Sequence, residues 1–286
     1  SQTSDHGVVA ALPLEEQRAR LRRSWSELRG WTGDSAVGLR PPEERFDENT
    51  LAAWRSIGGT YVAGLNDART GSPEIFETAA GRIVLLPRII KDDYNVLVQE
   101  SAFGSRRLRE AYLEGVRKVR GLGGLAFVST HSQVAGTAGR VPVLGEVMDS
   151  VLAQGEDWWI ATGRAVASWW LARREATTEL SRGPASGLEV AVRASDAAGL
   201  ENAWLRLVSP DDAGLLMPWI DGEPVAFVRD DWGVSVPVGT IAAGRTRRII
   251  LLPEGAGEDH TAVAAREVAS GAEPKPGGER SREGED

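Results

Sequence analysis

Strand-like and helix-like stretches alternate from Leu14 to about Thr178, and this alternation restricts the chain more than any other feature of its sequence. Neighbouring parallel strands need a long crossover, normally a helix, so such a chain builds a largely parallel sheet with helices on its faces. Leu14, Leu21, Trp25 and Leu28 share one face at helical spacing behind Pro13, which suits a first helical turn. A short strand over Ser35–Leu39 ends at Arg40-Pro41-Pro42-Glu43-Glu44, where proline forces the chain out of regular structure. A helix from about Glu48 to Ile57 stops at Gly58-Gly59, and Thr60–Ala63 is the next strand. Ser72-Pro73-Glu74 can start a short helix, and Arg82–Leu86 is a buried strand leading to Pro87 and Asp92-Asp93-Tyr94. A long helix over about Ser105–Arg120 precedes Gly124–Gln133, which reads as an apolar strand carrying His131 into a cleft. A helix near Leu144–Gln154, a strand over Asp157–Ala161 and a helix from Thr162 to about Thr178 complete the series.

The pattern then changes. Gly187–Ala194, Asn202–Ser209, Val225–Arg229, Gly233–Val238 and Thr246–Leu252 are strand-like runs separated by turn residues, the signature of a small antiparallel sandwich. From Glu254 onward the chain is rich in Gly, Glu, Arg, Ala and Pro, and a disordered tail is expected. The sequence thus predicts an α/β unit over residues 1–180, a β-sandwich accessory domain over 185–253 and a tail over 254–286. The paired tryptophans Trp158, Trp159, Trp169 and Trp170, and Trp204 further on, are expected to fill cores.

The formal net charge of −8 and the lack of a basic stripe argue against a nucleic-acid partner. Cysteine is absent, which rules out disulfides and thiolate metal sites within the chain. No apolar run approaches membrane-spanning length, and no signal segment is visible. The chain opens at Ser1 with a polar cluster rather than at Met, and reads as a processed product or a fragment.

In a parallel α/β barrel the loops that follow the strands share one face. Four polar clusters fall at such positions: Gln2-Thr3-Ser4-Asp5-His6, Arg40–Glu44, Asp92-Asp93-Tyr94 and Thr130-His131-Ser132-Gln133. In order and approximate spacing, over about Ser1–Arg174, they resemble the motifs of the polysaccharide deacetylase family, carbohydrate esterase family 4. The family's first motif, a Thr-Phe-Asp-Asp stretch with a metal ligand and the catalytic base, would lie upstream of Ser1. Its His-Ser/Thr-x-x-His metal motif resembles Gln2–His6, with Gln2 in place of the first histidine and His6 in place of the second. A glutamine oxygen is a poor replacement for imidazole on a zinc-like ion. The family's Arg-x-Pro-Tyr resembles Arg40-Pro41-Pro42-Glu43, so Arg40 matches the arginine that tunes the catalytic aspartate, and Glu43 stands where an aromatic groove wall is usual. The Asp-Trp motif resembles Asp93-Tyr94, with Asp92 as the alternative should the register slip by one. The strand ending in histidine resembles Leu125–His131.

The resemblance implies a fold and a chemistry. The fold would be α/β, an incomplete or distorted (β/α) barrel of the polysaccharide deacetylase type lacking its first strands, followed by the sandwich. The activity would be metal-dependent removal of acetyl groups from N-acetylated or O-acetylated polysaccharide, in an extracytoplasmic or cell-envelope setting. A divalent ion, zinc above others, would sit with His6 and Gln2. His131, supported by Asp93, would be the general acid, a role suited to an imidazole with a reference pKa of about 6.5. Arg40 would complete the catalytic set, and Tyr94 and Glu43 would contact substrate. The alternative is a catalytically inactive protein of the same fold that binds envelope polysaccharide. A glycoside hydrolase built on Glu43 and Asp93 is a third reading, which the spacing does not require.

Overall fold

The structure is a computed structural model that describes residues 3, 5–64, 71–101, 104–155, 158–208, 216–230 and 233–253, the side chain of 230 excepted. Gln2, Asp157 and the expected tail over 254–286 lie outside the described residues. The chain divides into two compact units, Ser1–Arg174 and Glu175–Asp286.

The first unit opens with α1 (Leu14–Thr32), whose Leu21 is fully buried. Gly33 ends it in the left-handed region (φ 71°), its N–H donating to the Arg29 carbonyl at 2.9 Å. The strand β1 (Gly38–Leu39) leads to the turn Pro42–Glu44 and then to α2 (Glu48–Ser56). Asp47 caps α2: its carboxylate accepts the Thr50 N–H at 2.8 Å, and the Thr50 hydroxyl accepts the Asp47 N–H at 3.2 Å. The buried side chain of Gln17 ties this cap to α1, its amide donating to Asp47 at 3.0 Å.

Next come β2 (Tyr61–Gly64), β3 (Glu74–Thr78) and β4 (Gly81–Pro87). The sheet order is β1-β2-β4-β3, parallel at β1/β2 and β2/β4 and antiparallel at β3/β4. The expected short helix at Ser72-Pro73-Glu74 is not formed, and Glu74 instead begins β3. A hairpin closed by Gly81 (φ 110°), with the Thr78 hydroxyl donating to the Gly81 carbonyl at 2.6 Å, gives this segment a ladder partner that outweighs its local helix-start signal.

That hairpin also explains why no closed barrel forms among the described residues. β3 occupies the edge of β4 on which a further parallel strand would have to add. Gly124–Gln133, expected as an apolar strand, is therefore not one: Leu125–Ser129 has no ladder, its Leu125 N–H donating to the Gly71 carbonyl at 2.8 Å, and Ser132-Gln133 open α4 (Ser132–Ala135). The segment keeps a two-residue alternation. Leu125 and Phe127 pack with Val84, Leu86, Val166 and Ala167, while Ala126 and Val128 face a second core. Residues 158–162 likewise form no strand.

β4 is buried on both faces, with Ile83 and Leu85 packed among Leu21, Leu51, Trp54 and Val62, and Val84 and Leu86 directed to the opposite layer. The second core lies between α3 (Ser105–Leu122), α4 (Ser132–Ala135) and α5 (Val141–Leu152), with Ile90, Val96 and Leu97 from the segment after β4. The last helix, α6 (Gly163–Glu175), lays Val166 and Ala167 on the sheet.

The second unit holds two antiparallel sheets. One has the order β5-β6-β12-β8-β9, from β5 (Thr177–Arg182), β6 (Leu188–Arg193), β12 (Thr246–Pro253), β8 (Leu216–Ile220) and β9 (Glu223–Pro224). The other is β10-β11-β7, from β10 (Val228–Asp230), β11 (Gly233–Ile241) and β7 (Leu200–Leu207). The helix expected to reach Thr178 stops at Glu175, because the β-branched pair Thr177-Thr178 pairs with Arg193 and Val192 of β6. Trp204 and Trp159, expected in cores, are 58% and 55% exposed. Trp204 lies opposite Pro237 in the β7–β11 ladder, one residue out of phase with the buried Ala203.

Candidate active site

Three segments meet beyond the ends of β1 and β4: Arg40–Glu44 after β1, Arg88–Gln99 after β4, and Ser129–His131 before α4. Asp92 and Asn95 brace the second of these reciprocally. Asp92 Oδ1 accepts the Asn95 N–H at 2.8 Å, and Asn95 Oδ1 accepts the Asp92 N–H at 3.1 Å. This box opens the π-helical turn Asn95–Gln99, and Asp93 and Tyr94 are held between its two members.

Asp93 is fully buried, with 0% exposure. Its Oδ2 accepts the His131 backbone N–H at 2.8 Å, and its Oδ1 lies 2.6 Å from His131 Nδ1 and accepts the Tyr94 N–H at 3.0 Å. Two contacts to one histidine fix the orientation of its ring as well as its distance. Nδ1 faces the carboxylate and carries the proton there, which leaves Nε2 on the side of the ring away from Asp93. The His131 side chain is 32% exposed, and the Tyr94 ring stands tilted 5.9 Å from it. Beneath lies Tyr112, buried on α3, whose hydroxyl donates to the Ser129 carbonyl at 3.1 Å. Burial first, and then the nearby Asp93 and Asp92 carboxylates, push this phenol well above its ordinary pKa, so it is a permanent neutral donor anchoring the segment that delivers His131.

Beside the dyad lies a compact ion cluster. Arg88 is nearly buried and grips Glu44 in a fork, Nε to Oε1 and Nη2 to Oε2, both at 2.6 Å. Arg40 Nη2 lies 2.6 Å from Glu44 Oε1, its guanidinium stands over the Phe127 ring, and its Nη1 is buried with no hydrogen-bond partner among the described residues. Asp92 Oδ2, 3.6 Å from Arg88 Nη2, completes a set of two positive and two negative groups. Burial lowers the pKa of Arg40, with the Arg88 charge adding to that and Glu44 opposing it. Burial works against Arg88 too, but its hydrogen bonds and attraction to Glu44 outweigh it, and its pKa is raised.

The structure brings Asp93, Tyr94 and His131 together and sets Arg40 in the adjoining cluster. Glu43, expected to contact substrate, is 63% exposed and faces Arg45 at 3.7 Å, whereas Glu44 takes the inward position. Both residues have φ near 55°, a left-handed pair that rotates one carboxylate out and the next one in. His6 is exposed, with φ 55°, and Gln2 lies outside the described residues. Arg88, Asn95 and Tyr112 were not foreseen. For Arg88 the available signal was an arginine directly after a strand buried on both faces, where a charged group needs a partner.

Asp92, Asp93 and His131 offer ligand atoms within 4.8 Å of one another, the one such group among the described residues, and so form a candidate metal-binding group; His6 belongs to none. The bonding of the three does not fit an ion. Asp93 has both oxygens engaged by His131 and Tyr94, Nδ1 is turned to a carboxylate, and Asp92 caps a turn beside the Arg88 guanidinium. The arrangement is that of a carboxylate–imidazole dyad.

No family model and no curated protein matches the sequence. Among solved structures, a protein designated a polysaccharide deacetylase from Mycobacterium smegmatis is similar at 24% identity and a TM-score of 0.54, over 60% of this chain and 62% of that one. PuuE allantoinase (16% identity, TM-score 0.47, 58% of this chain and 56% of that one) is another neighbour. So is a protein designated a polysaccharide deacetylase from Pseudomonas aeruginosa PAO1 (15%, 0.46, 57% and 55%). The first likeness shows the fold alone: over 60% of its length this mixed α/β chain has a deacetylase-like fold, spanning about three fifths of that neighbour's length.

Proposed function

We propose that the chain belongs to a deacetylase-like hydrolase that removes acetyl groups from N- or O-acetylated polysaccharide, with His131 as general acid and Asp93 as the group that orients it. The observation that carries this reading is the doubly bonded Asp93–His131 pair, with the carboxylate fully buried and the imidazole half-open. As an acyl carbon–nitrogen or carbon–oxygen bond breaks, the departing amine or alkoxide gains electrons and needs a proton. His131 Nε2 delivers it, and the Asp93 carboxylate stabilises the imidazolium beforehand. Tyr94, 43% exposed beside the imidazole, forms a wall for the acetyl group. Arg40 Nη1 supplies a hydrogen bond to an acceptor reaching the cluster.

The divalent ion implied by the family resemblance, zinc above others, supplies carbonyl polarisation and an activated water when bound. The donor sets in this chain do not fit it, with Gln2 in place of an imidazole and the Asp92–Asp93–His131 group spent on hydrogen bonds. An envelope location follows from the substrate class and belongs to the proposal.

The test is acetate release from N-acetylated amino-sugar oligomers by the protein. His131→Ala is expected to lower kcat by about 10²–10⁴-fold, the range for removing a positioned general acid. No acetate release, or release untouched by the substitution, overturns the reading. The metal misfit favours a second reading, polysaccharide binding without turnover, which would appear as glycan affinity indifferent to chelator and to His131→Ala.

A further inference from the structure

We propose that Arg88 is a positioning residue: its buried guanidinium clamps the turn that carries Asp93, so that the carboxylate meets His131 in one orientation, a role that rests on the hydrolase reading for its catalytic meaning. Arg88 touches neither His131 nor Asp93 in any recorded hydrogen bond, and its influence runs through the backbone. Nε and Nη2 hold Glu44, on the turn after β1. Nη1 donates to the Ile90 carbonyl at 2.9 Å and to Asn95 Oδ1 at 3.0 Å. That same Asn95 oxygen accepts the Asp92 N–H, so the arginine completes the box that encloses Asp93 and Tyr94. One planar guanidinium thereby ties the turn after β1 to two points, Ile90 and Asn95, of the segment after β4.

Two physical points argue for positioning over bulk stabilisation. A buried ion pair is weak evidence for stability, because replacing both partners with apolar groups of similar volume is often neutral or stabilising. What the fork provides is direction, through planar donors at fixed angles that an ammonium cannot reproduce. The dyad needs direction. Asp93 must present Oδ2 to a backbone N–H and Oδ1 to Nδ1 of the same residue at once, and a small rotation of the turn would sacrifice one for the other.

The experiment reads the dyad directly. In the ¹⁵N-labelled full chain, a proton shared at 2.6 Å between His131 Nδ1 and Asp93 gives a downfield resonance, assigned by its loss in His131→Gln. It is recorded in wild type, R88K, R88M and the double variant R88M/E44Q, whose second change restores the charge balance of the cluster of Arg40, Glu44, Arg88 and Asp92. Circular dichroism and thermal melting are recorded alongside. The expected result is a cooperatively folded R88M/E44Q chain in which the resonance is shifted upfield or lost to exchange, with no recovery in R88K. A folded double variant with the resonance at its wild-type position overturns the proposal. Acetate release is measured on the same samples. A wild type that never releases acetate, yet has a resonance sensitive to Arg88, removes the hydrolase reading and leaves the clamp. Turnover with an insensitive resonance does the reverse.

Discussion

Replacing Asp93 by Asn changes almost no volume, yet it sets the dyad a problem with no good solution. The carboxylate accepts three hydrogen bonds, from the His131 N–H, from His131 Nδ1 and from the Tyr94 N–H. An amide offers one oxygen. If that oxygen keeps the place of Oδ1, the NH₂ group faces the His131 N–H, donor against donor. If the amide turns over, the NH₂ faces Nδ1 and the Tyr94 N–H, which strands a backbone donor and forces the imidazole into its other tautomer. Either way one buried donor is unsatisfied, at about 1–3 kcal/mol. Asp93→Asn should therefore lower unfolding free energy by about 2 kcal/mol, measured by urea denaturation. Loss of the charge that stabilises the imidazolium should lower acetate release by about 10²–10⁴-fold. A tautomer change, read from the imidazole ¹⁵N shifts, identifies which amide orientation wins. A variant as stable as wild type with the same tautomer would refute the geometry, and one with unchanged turnover would refute the role.

Two further outcomes test the scaffold. At Asp47, burial alone would raise the carboxyl pKa, but hydrogen bonds from the Ala11 N–H, Gln17 and Thr50 outweigh it and hold the group at about 2. Its contribution is therefore present above the unfolded value of 3.8 and is lost as pH falls through about 2. Asp47→Ala should cost about 1–2 kcal/mol at pH 7, the size of a lost helix cap with a partly screened charge, and urea melts should show the gap narrowing toward pH 2; a gap independent of pH contradicts this. At Gly59, an added Cβ would lie 2.2 Å from Cδ1 of the fully buried Trp54, so Gly59→Ala should destabilise by about 1–3 kcal/mol. Gly30→Ala is the control, with nothing within 4 Å of its Cβ in the last turn of α1, and should stabilise by up to about 0.5 kcal/mol in the same denaturation assay.

The parts of the molecule legible in the sequence are those governed by local periodicity. Leu21 and Trp25 mark the inward face of α1, Gly58-Gly59 stops α2, and the unbroken apolar run Ile83–Leu86 announces a strand covered on both sides. The candidate site was legible differently. Nothing local links Asp93 to His131, 38 positions apart, and their pairing was expected only from motif order before the structure brought them to 2.6 Å. The choice between Glu43 and Glu44 was not legible, because it turns on two consecutive positive φ angles that no glycine announced. Arg88 was hidden for a related reason. Its partners come from the turn after β1 and from Ile90 and Asn95, and a guanidinium that bridges two segments 44 positions apart leaves no spacing rule in the chain.

The sequence by itself determined the opening succession of helix and strand from α1 to β2, the all-β character of the later residues, and which apolar faces had to be buried, since these follow from side-chain spacing of 2.0 or 3.6 residues and from turn chemistry. Only the tertiary structure decided that the sheet stays open. The hairpin strand Glu74–Thr78 takes the free edge of β4, so Leu125–Ser129 is left as an extended segment between two cores instead of a further rung. Ladder pairing is a long-range competition for a single edge, and the identity of the winner is not written in either strand. That outcome places His131 at the end of an unpaired segment, where the Asp93 carboxylate, the Tyr112 hydroxyl and the turn clamped by Arg88 supply the order that a β-ladder would otherwise have given.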